Sequence, residues 1–115
     1  MVRTIVSGIC GRTGMLVARE LAAAEGVELV GGLEAPDHGS IGRKLVDVCG
    51  AGSPDGLVVG GLADFGPGGF DVLVDFSVPE QSVLCAGFAA DAGVGLVVAT
   101  TGLSEAQSAA VRAAA

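Results

Sequence analysis

The stretch Arg3-Thr4-Ile5-Val6-Ser7-Gly8-Ile9-Cys10-Gly11-Arg12-Thr13-Gly14 decides the fold. Its first five residues, Arg3–Ser7, form a short β-type run, and glycines break it at once. Beyond them the apolar period changes. From about Gly11 to Glu25, Val17 with Leu21 and Ala18 with Ala22 lie four residues apart, as on one helix face. A strand turning through glycines into a helix opens a parallel α/β sheet. The turn itself, Gly8 through Gly14, has the spacing G-x-x-G-x-x-G rather than the stricter G-x-G-x-x-G, because Cys10 stands in the middle. Its glycines serve separate needs: a tight turn, a close approach of backbone to a pyrophosphate, and close packing of helix on strand. The helix N-terminus presents free N–H groups to phosphate, and Arg12 adds a fork-shaped cation.

The second part of a dinucleotide fingerprint is an acidic residue about 20 positions on, ending the second strand. Gly26 sits at a C-cap position for the helix, Val27–Leu33 reads as the second strand, and Glu34 follows it. Glu34 is expected to accept hydrogen bonds from the adenosine ribose hydroxyls, which favours NAD. Ala35 comes next, so no adjacent arginine meets the 2′-phosphate of NADP, although Arg43 or Lys44 could reach it. The expected cofactor is therefore NAD or NADP, with NAD favoured.

Outward from there the alternation continues. Residues Ala35–Pro54 read as loop, with a short helical turn around Lys44–Val48, and Leu57–Val59 as a weak third strand. A Gly/Pro break at Phe65–Gly69 precedes a fourth strand, Val72–Asp75. Ser77 and Glu80 have capping-box spacing and Pro79 suits a first helical turn, so a helix is expected up to about Ala92, stopped by Gly93. Gly95–Ala99 is the fifth strand, and a second capping box, Ser104 with Gln107, opens a helix that still runs at Ala115. The pattern predicts one domain, 1–115, a Rossmann-type doubly wound parallel sheet. Its abrupt end leads to two expectations: truncation before a C-terminal substrate domain, and an uncovered apolar sheet edge that leaves the isolated chain self-associating or loosely folded.

Composition agrees. Half of the 115 residues are apolar but only 3% are aromatic, so Val, Leu, Ile and Ala must build the core, a palette suited to a sheet covered on both faces. A net charge of −7 argues against nucleic acid or an anionic membrane as partner. Cys10, Cys49 and Cys85 have no C-x-x-C spacing and suit reduced thiols in the cytoplasm. No apolar run approaches the ~20 residues of a bilayer span, and glycines interrupt any signal-peptide core.

Three segments resemble one family. Gly8–Gly14 (GICGRTG), Asp71–Glu80 (DVLVDFSVPE) and Ala99–Gly102 (ATTG) are similar, in order and spacing, to the GxxGRMG, D-V-x-I-D-F-[ST]-x-P-E and G-T-T-G segments of the dihydrodipicolinate (4-hydroxy-tetrahydrodipicolinate) reductases. The resemblance implies that Gly8, Ile9, Cys10, Gly11, Arg12 and Thr13 wrap the pyrophosphate, with Gly14 completing the loop. It implies that Glu34 holds the ribose, that Ala99, Thr100 and Thr101 line the nicotinamide end, and that Phe76 and Ser77 lie near the cofactor. It further implies hydride transfer from NAD(P)H giving tetrahydrodipicolinate, on the route to diaminopimelate and lysine. A small dicarboxylate substrate, and possible homo-oligomers, belong to the longer protein. There are departures: Thr13 replaces Met, Ala99 replaces Gly, and Ala35 and Val78 stand where many members have Arg. The family's His-His…Lys motif and Ser-Gly-Thr loop have no counterpart, so no catalytic residue is assigned.

Other constellations fail. Asp71 and Asp75 lie at opposite ends of one strand and do not suit an acid–base pair, and Asp75 is expected to anchor the strand end or following turn. No His/Cys spacing suits a metal, and His38 reads as a surface-loop residue. Two further readings stay open: a stand-alone nucleotide-binding module without chemistry, and another Rossmann dehydrogenase such as an aspartate or homoserine dehydrogenase relative.

Overall fold

The structure, a computed structural model, describes residues 1–65, 68–100 and 102–114. Five strands form a single parallel sheet: β1 (Val2–Ser7), β2 (Val27–Leu33), β3 (Leu57–Val59), β4 (Val72–Asp75) and β5 (Gly95–Val98). Their spatial order is β3-β2-β1-β4-β5, so the order reverses beside β1. This is the Rossmann arrangement, in which ligands bind outside the carboxyl ends of the strands at that reversal. The helices are α1 (Arg12–Ala23), α2 (Leu45–Cys49), α3 (Pro79–Ala92) and α4 (Glu105–Ala114), with a 3-10 turn at Leu62–Phe65.

Two apolar layers cover the sheet. One gathers Val6, Ile9, Ala18, Leu29, Leu45, Cys49 and Val58 under α1 and α2. The other gathers Ile5, Leu33, Phe70, Leu73 and Cys85 beneath α3. Ile5 and Val6 go to opposite layers, as strand period 2 requires. Leu29 and Leu33, four apart on β2, should share a layer and do not. The cause is a bulge: Thr4 pairs with Leu29 but Ile5 with Gly31, which leaves Val30 unpaired. One extra residue turns every later side chain to the other face. Leu33 thereby goes beneath α3, and Glu34 is turned toward the α1 side, where the glycine loop lies.

Two expected caps differ. Helix α1 ends at Ala23, three residues before Gly26, which instead forms the turn into β2 at φ 77°. Ser77 does not cap α3: the N-cap is Val78, with no side-chain bond, and Pro79 opens the first turn. The Ser77 hydroxyl instead donates to the Asp75 carboxyl two residues back, which turns the side chain toward the strand end rather than the helix amides. The other capping box forms: Gln107 N–H donates to Ser104 Oγ at 3.1 Å and Ser104 N–H to Gln107 Oε1 at 2.9 Å. Gly93 closes α3 in the left-handed conformation. Of the expected break at Phe65–Gly69, Gly66 and Pro67 lie outside the described residues, as does Ala115. Among the described residues no helix is long and apolar enough to cross a membrane.

Candidate functional site

A cleft of about 460 Å³ opens at the carboxyl ends of β1, β2 and β4. Gly8, Cys10 and Gly11 form its floor, Glu34, Pro36 and His38 one wall, and Phe76, Ser77, Val78 and Gln81 the other. Backbone bonds stitch the walls to the floor: Gly8 N–H donates to Leu33 O at 2.9 Å and Phe76 N–H to Ser7 O at 2.9 Å.

Two glycines set how tightly this corner closes. Gly8 has φ +78°, and a Cβ there would lie 2.5 Å from the Phe76 carbonyl oxygen. Gly14 is buried at the start of α1, and a Cβ there would stand 2.1 Å from the Gly8 carbonyl oxygen. The helix therefore rests directly on the loop backbone. Its first turn has no side-chain cap, and the first helical bond runs from Met15 N–H to Gly11 O at 2.9 Å. The amides of Arg12, Thr13 and Gly14 precede that bond, and among the described residues none has an acceptor. A helix start in this state binds anions through its amides and dipole.

Glu34 is half-buried at the opposite wall. Its Oε2 accepts from Cys10 N–H at 2.8 Å and its Oε1 from Ala35 N–H at 3.3 Å. One oxygen thus fixes the loop, while the other makes only a long, exposed contact and keeps acceptor capacity. The Cys10 thiol is pushed above its ordinary value, chiefly by burial and also by the Glu34 charge, with Ser40 opposing.

The expected site residues divide into groups. Gly8, Cys10, Gly11 and Glu34 line the cleft. Arg12 and Thr13 are exposed at the helix start beside it. The Ile9 side chain is fully buried against Gly32 in the core, so only its backbone can serve a ligand. Ala99 is exposed and donates its N–H to Asp75 O at 2.9 Å. Thr100 donates its hydroxyl to Asp75 Oδ2 at 3.0 Å. Neither residue lines the cleft, and Thr101 lies outside the described residues.

Asp75, fully buried, organises this strand end. It accepts from Ser77 N–H at 3.1 Å, and from the hydroxyls of Ser77, Ser82 and Thr100. It thus ties the β4–α3 turn to the end of β5, in keeping with the anchoring expected of it. Asp71, at the other end of β4, pairs with Arg3 at 3.1 Å. Pro36 and Gln81 are wall residues that the sequence did not single out, and Val78, noted there only as a departure from the family, is another. The signal for them is topological: once β4 lies beside β1, whatever follows β4 faces whatever follows β1.

A sequence model of one family, described as dihydrodipicolinate reductase, N-terminus, matches residues 2–115. The chain belongs to that family. The 4-hydroxy-tetrahydrodipicolinate reductase of Methanothermobacter thermautotrophicus is 39% identical over 118 residues, covering 97% of this chain and 42% of the relative. Its counterpart in Anaeromyxobacter sp. is 38% identical over 115 residues, covering 100% and 42%. Among solved structures, the dipicolinate-bound dihydrodipicolinate reductase from Paenisporosarcina sp. TG-14 has a TM-score of 0.75 at 23% identity, covering 99% of this chain and 43% of that one. A myo-inositol 2-dehydrogenase from Lactobacillus plantarum has a TM-score of 0.66 at 19% identity, covering 98% and 32%. At such identities the likeness is one of fold. The resemblance of GICGRTG, DVLVDFSVPE and ATTG to the dihydrodipicolinate reductases holds at the level of family, and the chain spans 42% of the length of these curated relatives.

Proposed function

We propose that this chain is the NAD(P)H-binding part of a 4-hydroxy-tetrahydrodipicolinate reductase that works in the cytoplasm on the route to diaminopimelate and lysine. The observation that carries the reading is the cradle at Gly8–Gly14: backbone packed at Gly8 and Gly14 too closely for a side chain, beside three amides at a helix start that have no acceptor among the described residues. That donor set fits a pyrophosphate. The Arg12 guanidinium, exposed in the same turn, adds charge complementarity. Glu34 Oε1 accepts from the ribose hydroxyls while Oε2 keeps the loop in place. When bound, the nicotinamide supplies the hydride that reduces the substrate to tetrahydrodipicolinate. The chain's own residues bind and orient, and a small dicarboxylate substrate is taken with the further length that the relatives possess.

The 2′-phosphate of NADP would bring its charge beside the Glu34 carboxylate. At ~4 Å two unit charges repel by about 1 kcal/mol in water and about 4 kcal/mol near a protein surface. Arg43 and Lys44 are exposed and do not line the cleft. NADH is therefore the preferred partner, by about tenfold or more. Calorimetric titration of the chain with NADH and NADPH, repeated with Glu34→Ala, tests this. Tighter NADH binding that the substitution abolishes is the expected result. Equal binding of both nucleotides overturns the ribose assignment, and binding of neither overturns the cofactor reading itself.

A further inference from the structure

The three cysteines differ in surroundings. Cys49 and Cys85 are buried in the two apolar layers, where their thiols bond to Leu45 O at 3.2 Å and Ser7 Oγ at 3.8 Å. Of the three, Cys10 alone lines the cleft, in its floor. Two other metal-ligating side chains meet it there. One ligand atom each from Cys10, Glu34 and His38 lies within 4.8 Å of the other two. They arrive from different places: the glycine loop, the end of β2, and the turn that follows.

We propose that Cys10, Glu34 and His38 form a binding site for a thiophilic divalent metal of the Zn2+ class, and that the metal and the dinucleotide exclude one another there. A thiolate with an imidazole selects Zn2+ over Mg2+ or Ca2+, which prefer oxygen alone. Tetrahedral Zn2+ with bonds of about 2.0–2.3 Å holds its ligand atoms some 3.3–3.7 Å apart, so no pair of the trio has to close by more than about 1.5 Å. His38 is exposed, and among the described residues the one bond of its side chain is accepted by Nδ1 from Ser40 N–H at 3.0 Å, so its ring can move at little cost. Coordination displaces the thiol proton to solvent, since a metal-bound thiol is held as thiolate. Three protein ligands facing an open cleft leave the fourth position to water. Exclusion follows from Glu34: the carboxylate that would hold the metal is the one assigned to the ribose, a part of the proposal that rests on the cofactor reading.

The test uses the untagged chain with Zn2+, Co2+ and NADH as probes. Zn2+ should bind one to one, and Mg2+ should not compete with it. Groups one layer removed from a bound metal typically contribute about 10–100-fold in affinity, so Cys10→Ser and His38→Ala should each weaken Zn2+ binding by at least about tenfold. Co2+ should give a thiolate-to-metal absorption band in the parent chain that Cys10→Ser lacks. Because His38 is exposed, its variant should keep the parental melting curve, which separates lost ligation from lost fold. Zn2+ should raise the apparent NADH Kd in the parent chain and not in His38→Ala. Zn2+ binding unchanged in both variants, or no cobalt–thiolate band, overturns the site. NADH affinity indifferent to bound Zn2+ overturns the exclusion. If NADH does not bind at all, the cofactor reading fails, while the cobalt spectrum still decides the metal site.

Discussion

Alanine in place of glycine inside a helix ordinarily stabilises a protein by about 1 kcal/mol, because glycine loses more backbone freedom on folding. At Gly14 the sign should reverse. The added Cβ would lie 2.1 Å from the Gly8 carbonyl oxygen and 2.9 Å from its carbon, so α1 must lift by more than about 1 Å to regain ordinary contact. Overpacking against a side chain costs about 1–3 kcal/mol, and a backbone carbonyl cannot rotate away, so the upper end applies. Less the helix-propensity gain, Gly14→Ala should cost about 2 kcal/mol. The same lift carries the amides of Arg12 and Thr13 off the proposed phosphate position, and a shift near 1 Å costs up to about 100-fold in a positioned interaction. Gly87 supplies the control. It is exposed within α3 with no atom near its would-be Cβ, so Gly87→Ala should stabilise by about 1 kcal/mol and leave NADH binding alone. Urea unfolding and NADH fluorescence titration of both variants are the assays. If Gly14→Ala is as stable as the parent and binds NADH equally well, the account of the loop–helix contact is wrong.

Other perturbations test other parts of the structure. Asp75→Asn places amide hydrogens against the hydroxyl and N–H donors of Ser77, Ser82 and Thr100; it should lower unfolding stability by about 1–3 kcal/mol, measured in urea. The Arg3 guanidinium hydrogen-bonds the Asp71 carboxyl and holds it below the usual carboxylate range. That contribution to stability is present above the ordinary carboxylate value and disappears as pH falls through the depressed one. Arg3→Gln should therefore lower the melting temperature at neutral pH and converge with the parent in strong acid; a constant gap would contradict the pairing. Burial first, and then the Asp75 charge, push the Cys85 thiol up to about 11. Iodoacetamide at neutral pH should accordingly modify Cys10 well before Cys85 or buried Cys49, read by peptide mass mapping, and NADH should slow the reaction at Cys10.

Much of the fold was legible because its punctuation is local. β2, β3 and β4 have the limits their apolar runs suggest: β2 lies between Gly26 and Glu34, β3 between Gly56 and Gly60, and β4 starts after Asp71 and ends on Asp75. Ser104 with Gln107 formed its capping box, and among the described residues no other group bonds the serine side chain, whereas Ser77 lies two residues from a buried carboxylate to which its hydroxyl donates. What stayed hidden depends on contacts between distant segments. The bulge at Val30 shows only when Thr4 and Ile5 are paired with their partners, yet it sets the side to which Glu34 turns. His38 reaches Cys10 because the segment after β2 folds back through successive turn bonds, from His38 N–H to Ala35 O at 2.9 Å and from Ile41 N–H to His38 O at 3.2 Å. Sequence spacing of ligands carries no trace of that geometry.

The central claim is that this chain holds a nicotinamide dinucleotide against the start of α1. Amide NMR spectra of the isotope-labelled chain, recorded during NADH titration, test it most directly. The account predicts saturable shifts concentrated at Gly8, Cys10 through Gly14, Glu34 and Ala35, with the carboxyl end of α3 near Gly93 unmoved. No shift at saturating NADH, or shifts gathered at the opposite edge of the sheet, would contradict it.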